Sequence, residues 1–238
     1  MRKIFLTGDI HSDVWDLKQR ILQAQVPEGG FIFVLGDVGL NYYLDDGDNK
    51  KKKILSQMPY NFLFIHGNHE ARPEEVEGYE LSLHKLDDVD IFAFTQKKFP
   101  NLYFLADGVH LFGNTKILVL GGAYSVDKNY RLATGNKWWE SEQMTKEVRD
   151  LFLEQTRNQY YDYVFTHTCP YFARPLDKGL SFVRQEEVDS TMEVFLENVR
   201  QQIVFNKFYC GHWHIDETRD DEIGRIHFLF RDMKGIGV

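Results

Sequence analysis

Only two cysteines, Cys169 and Cys210, occur in the 238 residues. That excludes a disulfide scaffold, and no C-x-x-C spacing ties either cysteine to a zinc motif. Both read as small buried hydrophobes, and a reducing cytoplasm is the expected compartment. No apolar run reaches the roughly eighteen residues that a membrane helix needs. The opening MRKIFLTGD starts like a strand and lacks the apolar core and cleavage site of a secretory signal. Linkers, low-complexity tracts and internal repeats are also missing, so one domain over residues 1–238 is expected. A surplus of basic charge is lacking as well. The net charge of −8 argues against long nucleic acid, because counterion release needs a basic field, and it favours small phosphorylated molecules. Nothing in the pattern speaks to oligomeric state.

What is present is an α/β grammar. Lys3-Ile4-Phe5-Leu6 leads into Thr7-Gly8-Asp9, Phe31 to Leu35 into Gly36-Asp37, and Phe62 to Ile65 into His66-Gly67-Asn68-His69-Glu70. Short runs that are apolar throughout predict strands buried on both faces. A helix is predicted between the first two, with Val14, Leu17, Ile21 and Leu22 on one stripe and Ser12 or Asp13 as its cap. From Ile91 to Tyr124 the pattern changes to an antiparallel meander, with Asp107-Gly108 and Gly113-Asn114 as hairpin turns. A loop rich in Gly, Tyr, Trp and charge runs from Gly121 to Glu140. A helix carrying Met144, Val148, Leu151 and Phe152 follows it. The αβ pattern then returns. Tyr163 to Phe165 leads into Thr166-His167, a helix carries Val188, Met192, Phe195, Leu196 and Val199, and Phe205 to Cys210 leads into Gly211-His212-Trp213-His214. Ile226 to Phe230 reads as a closing strand.

Five strand ends therefore deliver side chains suited to metals: Asp9 and His11, Asp37, Asn68, His167, and His212 with His214. In α/β sheets ligands bind beyond the carboxyl ends of strands, so these ends converge. Singly, Asp and Asn at strand ends are ordinary turn caps. Together with the histidines they describe a site for two divalent cations about 3.5–4 Å apart. Cations that close need a bridging anion, and Asp37, in the middle of the set, is the expected bridge. Neutral imidazoles and the Asn68 amide would complete the shells. Gly8, Gly36, Gly67 and Gly211 precede the ligands and permit close backbone approach. Mixed imidazole, carboxylate and amide donors suit Mn²⁺, the first expectation, or Fe, Zn²⁺ or Ni²⁺, better than Ca²⁺.

These motifs resemble those of the calcineurin-like metallophosphoesterases: D-x-H at Asp9-Ile10-His11, G-D at Gly36-Asp37, G-N-H-[DE] at Gly67 to Glu70, a lone His167, and G-H-x-H at Gly211 to His214. The resemblance implies a four-layer α/β/β/α sandwich with two mixed β-sheets. It implies that Asp9, His11, Asp37 and His214 hold one metal, and that Asp37, Asn68, His167 and His212 hold the other. His69 would face the leaving group as general acid or as a charge on the phosphate. The implied activity is in-line hydrolysis of a small phosphodiester or phosphomonoester by a hydroxide bridging the metals.

One departure bears on substrate. The serine/threonine phosphatase branch carries G-D-x-x-D-R-G, whereas here Gly36-Asp37 is followed by Val38-Gly39-Leu40-Asn41. That counts against protein phosphatase activity and leaves Asn41 where the arginine would stand, while the G-H-x-H ending looks more like the phosphodiesterase branches. A nuclease or nucleotide phosphodiesterase is one alternative, motivated by G-H-x-H and the aromatic, cationic loop. A metal-free, non-catalytic scaffold is another, opposed by the completeness of the ligand set. Arg72, Tyr124, Lys128 and Arg131 are further candidate substrate contacts, since functional residues concentrate on loops held by a scaffold. Trp138 and Trp139 are expected to pack the loop down. Lys50 to Lys53 read as a solvated helix face, and His66, His84, His110 and His227 as ordinary histidines.

Overall fold

The computed structural model describes residues 2–178 and 188–238. At its N-terminal end β1 (Lys3–Thr7), β2 (Phe31–Val34) and β3 (Asn61–Phe64) run parallel and adjacent, linked by α1 (Val14–Gln23) and α2 (Asp46–Ser56). β2 is buried along its whole length, which is why it is apolar throughout rather than alternating. Asp13 caps α1, its carboxylate accepting from the Asp16 amide at 2.9 Å. Val14, Leu17 and Ile21 are buried as the stripe predicts, but Leu22 is 57% exposed. Arg20 takes the buried place instead, because oxygens of the strand ends surround its guanidinium. In α2, Lys50 and Lys53 face solvent. Lys52 is buried, donating to the Gln96 side chain at 3.3 Å, so the lysine run is not wholly a solvated face.

The middle segment differs from a simple meander. Its strands are β4 (Glu80–Leu86), β5 (Val89–Gln96), β6 (Phe99–Leu105) and β7 (Gly108–Phe112). β4 pairs only with β5 and is largely exposed, so it lacks the apolar pattern that would reveal it in the sequence. β6 pairs antiparallel with β5 and parallel with β3, not with β7. Asp107-Gly108 is therefore a crossing between strands rather than a hairpin turn. Gly113-Asn114 does close a hairpin, joining β7 to β8 (Thr115–Leu120).

The loop after β8 contains a helix, α3 (Lys128–Thr134), that the sequence pattern does not show. α4 (Lys146–Thr156), β9 (Tyr160–Thr166), α5 (Thr191–Gln202) and β10 (Val204–Cys210) restore the alternation, with β8, β9 and β10 parallel. The tail adds β11 (Glu217–Asp220), β12 (Arg225–Phe228) and β13 (Lys234–Gly237). β12 is the expected strand near Ile226 and lies beside β10, but the closing strand is β13, which pairs antiparallel with β1. Among the described residues no helix is long and apolar enough to cross a membrane.

Among the described residues, hydrogen bonding links the strands into one mixed sheet of thirteen rather than two separate sheets. The link is β5, which pairs with β7 at Val89 and Asp90 and with β6 from Ala93 onward. The sheet nevertheless doubles over on itself. Phe33 of β2 and Phe165 of β9 are far apart along the strand order, yet their rings meet edge to face at 5.1 Å. One buried cluster fills the space between the facing halves, including Leu6, Phe33, Ile65, Val119, Phe165 and Tyr209. A second lies under α1 and α2, and a third under α5. The layers are thus helix, sheet, sheet, helix. Each large side chain buried between the halves contributes roughly 1.5–3 kcal/mol by area. That clamps the two sets of parallel strands so that their C-terminal ends share one rim.

Candidate metal centre

All seven expected ligands lie on that rim, just beyond β1, β2, β3, β9 and β10. The backbone there is tightly wound. His11, Asp37, His212 and His214 all have φ between 42° and 66°, a left-handed region that side chains other than glycine rarely enter. Strain of this kind concentrates at functional sites, where surrounding contacts over-determine the conformation. Two glycines allow the crowding. A side chain on Gly36 would collide with the His167 ring, and one on Gly67 with the Asp37 carboxylate.

Two groups of donor atoms meet here. In the first, His214 Nε2 lies 3.1 Å from Asp9 Oδ2 and 2.9 Å from His11 Nε2. In the second, His167 Nε2 lies 2.9 Å from Asn68 Oδ1 and 3.5 Å from Asp37 Oδ1, and His212 packs edge to face on the His167 ring. Asp37 reaches both groups, because its other oxygen lies 3.9 Å from His11 Nδ1. The sets Asp9, His11, His214 and Asp37, His167, His212 each bring their donor atoms within 4.8 Å of one another.

The hydrogen bonding around the second group shows what it is suited to hold. His167 Nδ1 donates to the Leu35 carbonyl at 2.8 Å, so its Nε2 presents a lone pair. Asn68 Nδ2 donates to Ser125 Oγ at 2.9 Å, which turns the amide oxygen towards that same lone pair. In the neutral imidazole two acceptors then face each other across 2.9 Å, an arrangement that a cation beside both relieves. The donor set therefore fits a metal ion.

Electrostatics agree. Burial pushes the Asp37 carboxyl up, but the imidazoles of His167, His69, His11 and His212 outweigh it and hold the group below the usual carboxylate range. Burial likewise raises Asp9, and the His214 hydrogen bond and His167 carry it net downwards. His212 is pushed down to about 3, by burial first and the neighbouring His167 second. An anionic Asp37 beside a neutral His212 is the pairing that metal ligation needs, while the hydrogen bond to Asp9 raises His214.

The chain matches the family model for calcineurin-like phosphoesterases over residues 2–216. It belongs to that family. The family is one of phosphoric ester hydrolases that use divalent metal ions. A comparison with curated proteins finds no match. Among solved structures, a proposed 5′-nucleotidase from Staphylococcus aureus in complex with α-ketoglutarate superposes with a TM-score of 0.46 and 12% identity. The superposition covers 98% of this chain and 50% of that one, so the phosphoesterase spans half the length of that protein.

The remaining expected site residues separate into two sets. His69 stands at the mouth of the phosphoesterase site, 4.0 Å from Asp37 Oδ2, with its backbone amide donating to Asp37 Oδ1 at 2.8 Å. Arg131 comes from α3, is almost fully buried, and donates to the His69 ring at 2.7 Å while its Nε holds Asp127 at 2.8 Å. Its Nη1 has no partner among the described residues. Lys128, on the same helix, lies over the Trp138 ring at 4.0 Å, and Tyr124 is half-buried on the loop before it. Trp139 packs edge on against Tyr42.

Asn41 and Arg72 are placed differently. Asn41 is fully buried behind the rim, its amide oxygen accepting from the Tyr79 hydroxyl at 3.1 Å, so phosphate has no route to it. Arg72 donates to Asp107 at 3.1 Å and to the Ser141 carbonyl at 2.8 Å, tying the Asn68 loop to the turn after β6, while its Nη2 has no partner among the described residues.

Several positioning residues were not among the expected site residues. Ser125 aims Asn68, and its own amide donates to Glu142 at 3.2 Å. Glu70 accepts from the Val38 amide at 3.2 Å, and burial and the Asp37 charge raise it to about 8. Arg20 donates to Thr7 and to the Asp9 carbonyl, bracing the first motif from below. Phe230 stacks on His214 at 4.5 Å. Of these, Arg20 had a clue, since it lies three residues after Leu17, on the buried stripe.

Proposed function

We propose that this phosphoesterase hydrolyses a small phosphodiester or phosphomonoester at a dinuclear centre. Asp9, His11, Asp37 and His214 would hold one cation, and Asp37, Asn68, His167 and His212 the other. The observation that carries the reading is the sharing of Asp37 between two donor groups whose facing acceptors call for positive charge. When bound, two such cations supply an acidified water as nucleophile and neutralise charge on the phosphate. Mn²⁺ is the proposed metal, with Fe, Zn²⁺ and Ni²⁺ as substitutes.

The chain's own groups do the rest. Asp37 anchors the His69 loop through the His69 amide, fixing the imidazole beside the leaving group. Burial, then Arg131, pushes the His69 proton affinity down despite Asp37. A bound phosphate would bring negative charge beside His69, which favours the protonated imidazole that a general acid needs. Arg131 supplies the fixed cation that an Asp-Arg pair after Asp37 would have supplied, arriving from α3 rather than from the second motif. Lys128 and Tyr124 line the approach.

Two measurements test this. After chelation and reloading, the protein is expected to turn over bis-p-nitrophenyl phosphate or p-nitrophenyl phosphate, fastest with Mn²⁺. Absence of turnover with Mn²⁺, Fe²⁺, Zn²⁺, Ni²⁺ and Mg²⁺ alike, in protein that binds them, overturns the proposal. Arg131→Gln is expected to lower kcat/KM for p-nitrophenyl phosphate by about 100-fold, the scale of a lost charged hydrogen bond to a dianion. A smaller loss is expected on the monoanionic diester, and equal losses on both would reduce Arg131 to a support for His69. The loop from Tyr124 to Trp139 favours a nucleotide-sized substrate as the second reading. Cyclic nucleotides cleaved in preference to single-stranded oligonucleotides would support that, in keeping with the charge of −8.

A further inference from the structure

The thirteen-stranded sheet is open, and its two terminal strands, β11 and β13, are not paired with each other. Between them lies a cleft of about 540 Å³, with Lys207 and Tyr209 from β10, Asp220 from β11, Arg225 and His227 from β12, and Lys234 from β13. None of these is a candidate metal residue. Tyr209 at its floor belongs to the buried cluster between the facing halves, and Lys234 of the edge strand β13 lies 5.7 Å from its ring centroid.

Its charge is unbalanced. Asp221, at its margin, is held by both Nη atoms of Arg200, at 2.8 and 2.9 Å, and also accepts from the backbone of Ile223 and Gly224. Asp220 is paired with Arg225 at 3.2 Å. Lys207 and Lys234 are left without a carboxylate partner among the described residues, in a chain whose net charge is −8. The three cations converge: burial, then Lys234, Arg225 and Lys207, hold the His227 imidazole down to about 4. Like charges brought together repel, and a bound anion relieves that repulsion.

A second observation points to a ligand. Tyr209 is fully buried and stacked on His227 at 4.8 Å, and its hydroxyl has no hydrogen-bond partner among the described residues. A buried hydroxyl left unpaired is costly, and a donor of this kind beside three cations suits an oxyanion.

We propose that this cleft binds a small phosphorylated anion, its phosphate held by Lys207, Lys234 and Arg225 with the Tyr209 hydroxyl, at a site separate from the metal centre. Lysines and an arginine around a hydroxyl offer donors in several directions, which matches a tetrahedral group with oxygens on every side better than a planar carboxylate. The volume is within the range of small-molecule sites and leaves room for an organic part of nucleotide size.

The test uses the full chain loaded with Mn²⁺, titrated calorimetrically with inorganic phosphate, adenosine monophosphate and citrate. The metal centre also attracts phosphate, so the same titrations are made on Asp37→Asn. Phosphate or adenosine monophosphate is expected to bind Asp37→Asn as well as the parent, at the cleft. Lys207→Gln/Lys234→Gln, whose side chains are exposed and whose fold is checked by thermal melting, is expected to weaken that binding at least tenfold and to keep p-nitrophenyl phosphate turnover. Tyr209→Phe is expected to weaken it about threefold, on the scale of one neutral hydrogen bond. Phosphate binding that is unchanged in the lysine variant, whether or not Asp37→Asn retains it, places the anion at the metals and overturns the proposal. Citrate binding tighter than both phosphates overturns the assigned class.

Discussion

Asp37→Asn is expected to lower turnover of bis-p-nitrophenyl phosphate by at least about 1,000-fold and to halve the metal content of the reloaded protein. The substitution is nearly isosteric, and an asparagine oxygen can still accept from the His69 amide, which Asp37 Oδ1 holds at 2.8 Å. The fold therefore loses little. What disappears is the negative charge between the two donor groups. Asp37 is 1% exposed, and its second oxygen faces His11 while the first faces His167. Without that charge, two cations about 3.5–4 Å apart repel each other across a buried space where water screens poorly. One is expelled, and phosphate then lacks half of its clamp. Electrostatic stabilisation of this kind commonly supplies the largest part of rate enhancement, and single donors aimed at a developing oxyanion are already worth about 100- to 1,000-fold. Metal analysis by mass spectrometry and turnover on the same sample check both halves. A variant with parent activity and two metals per chain removes Asp37 as the bridge.

The strand ends that bring the candidate ligands together were legible in the sequence for a local reason. Each strand that feeds the rim is buried on both faces, so it is written as an uninterrupted apolar run, and its polar ending stands out. Phe31 to Leu35 before Gly36-Asp37 shows this, as does Phe62 to Ile65 before Gly67-Asn68. Nothing comparable announces β4, whose side chains mostly face solvent, or the choice of β6 to pair with β3. Pairing of that sort is decided by contacts distant in sequence, and Asp107-Gly108 looks like a hairpin turn whether or not its flanking strands pair. The same limit separates Asn41 from Arg131. Asn41 was picked by its offset from Asp37, yet the chain turns inward there and buries it against Tyr79. Arg131 sits on a seven-residue helix too short to show periodicity, and only the fold carries it 62 positions back to His69. Arg20 is the intermediate case. It fell on an apolar stripe, and its burial became sensible only once Thr7 and the Asp9 carbonyl were seen to accept from it.

Gly36→Ala is expected to destabilise the protein by about 3 kcal/mol or more and to empty the second metal position even where the chain still folds. Two separate penalties combine. Gly36 has φ of +96°, outside the allowed regions of a residue with a side chain, which costs on the order of 1–3 kcal/mol. A methyl group there also runs into the His167 ring. That ring cannot step aside freely. It is fully buried, its Nδ1 is tied to the carbonyl of Leu35, and its Nε2 must stay beside Asn68 to serve a metal. Moving it breaks the bond that sets the tautomer, so a metal held there would lose its ligand and its lone pair together. Gly29→Ala separates the two penalties. Gly29 has φ of +75° but nothing within 4 Å of the added carbon, so only the backbone cost applies, about 1 kcal/mol. Urea unfolding of both variants, with metal analysis alongside, reads the difference. If Gly36→Ala costs no more than Gly29→Ala and keeps two metals, the strand end is softer than the packing implies, and His167 is held by the metal rather than presented to it.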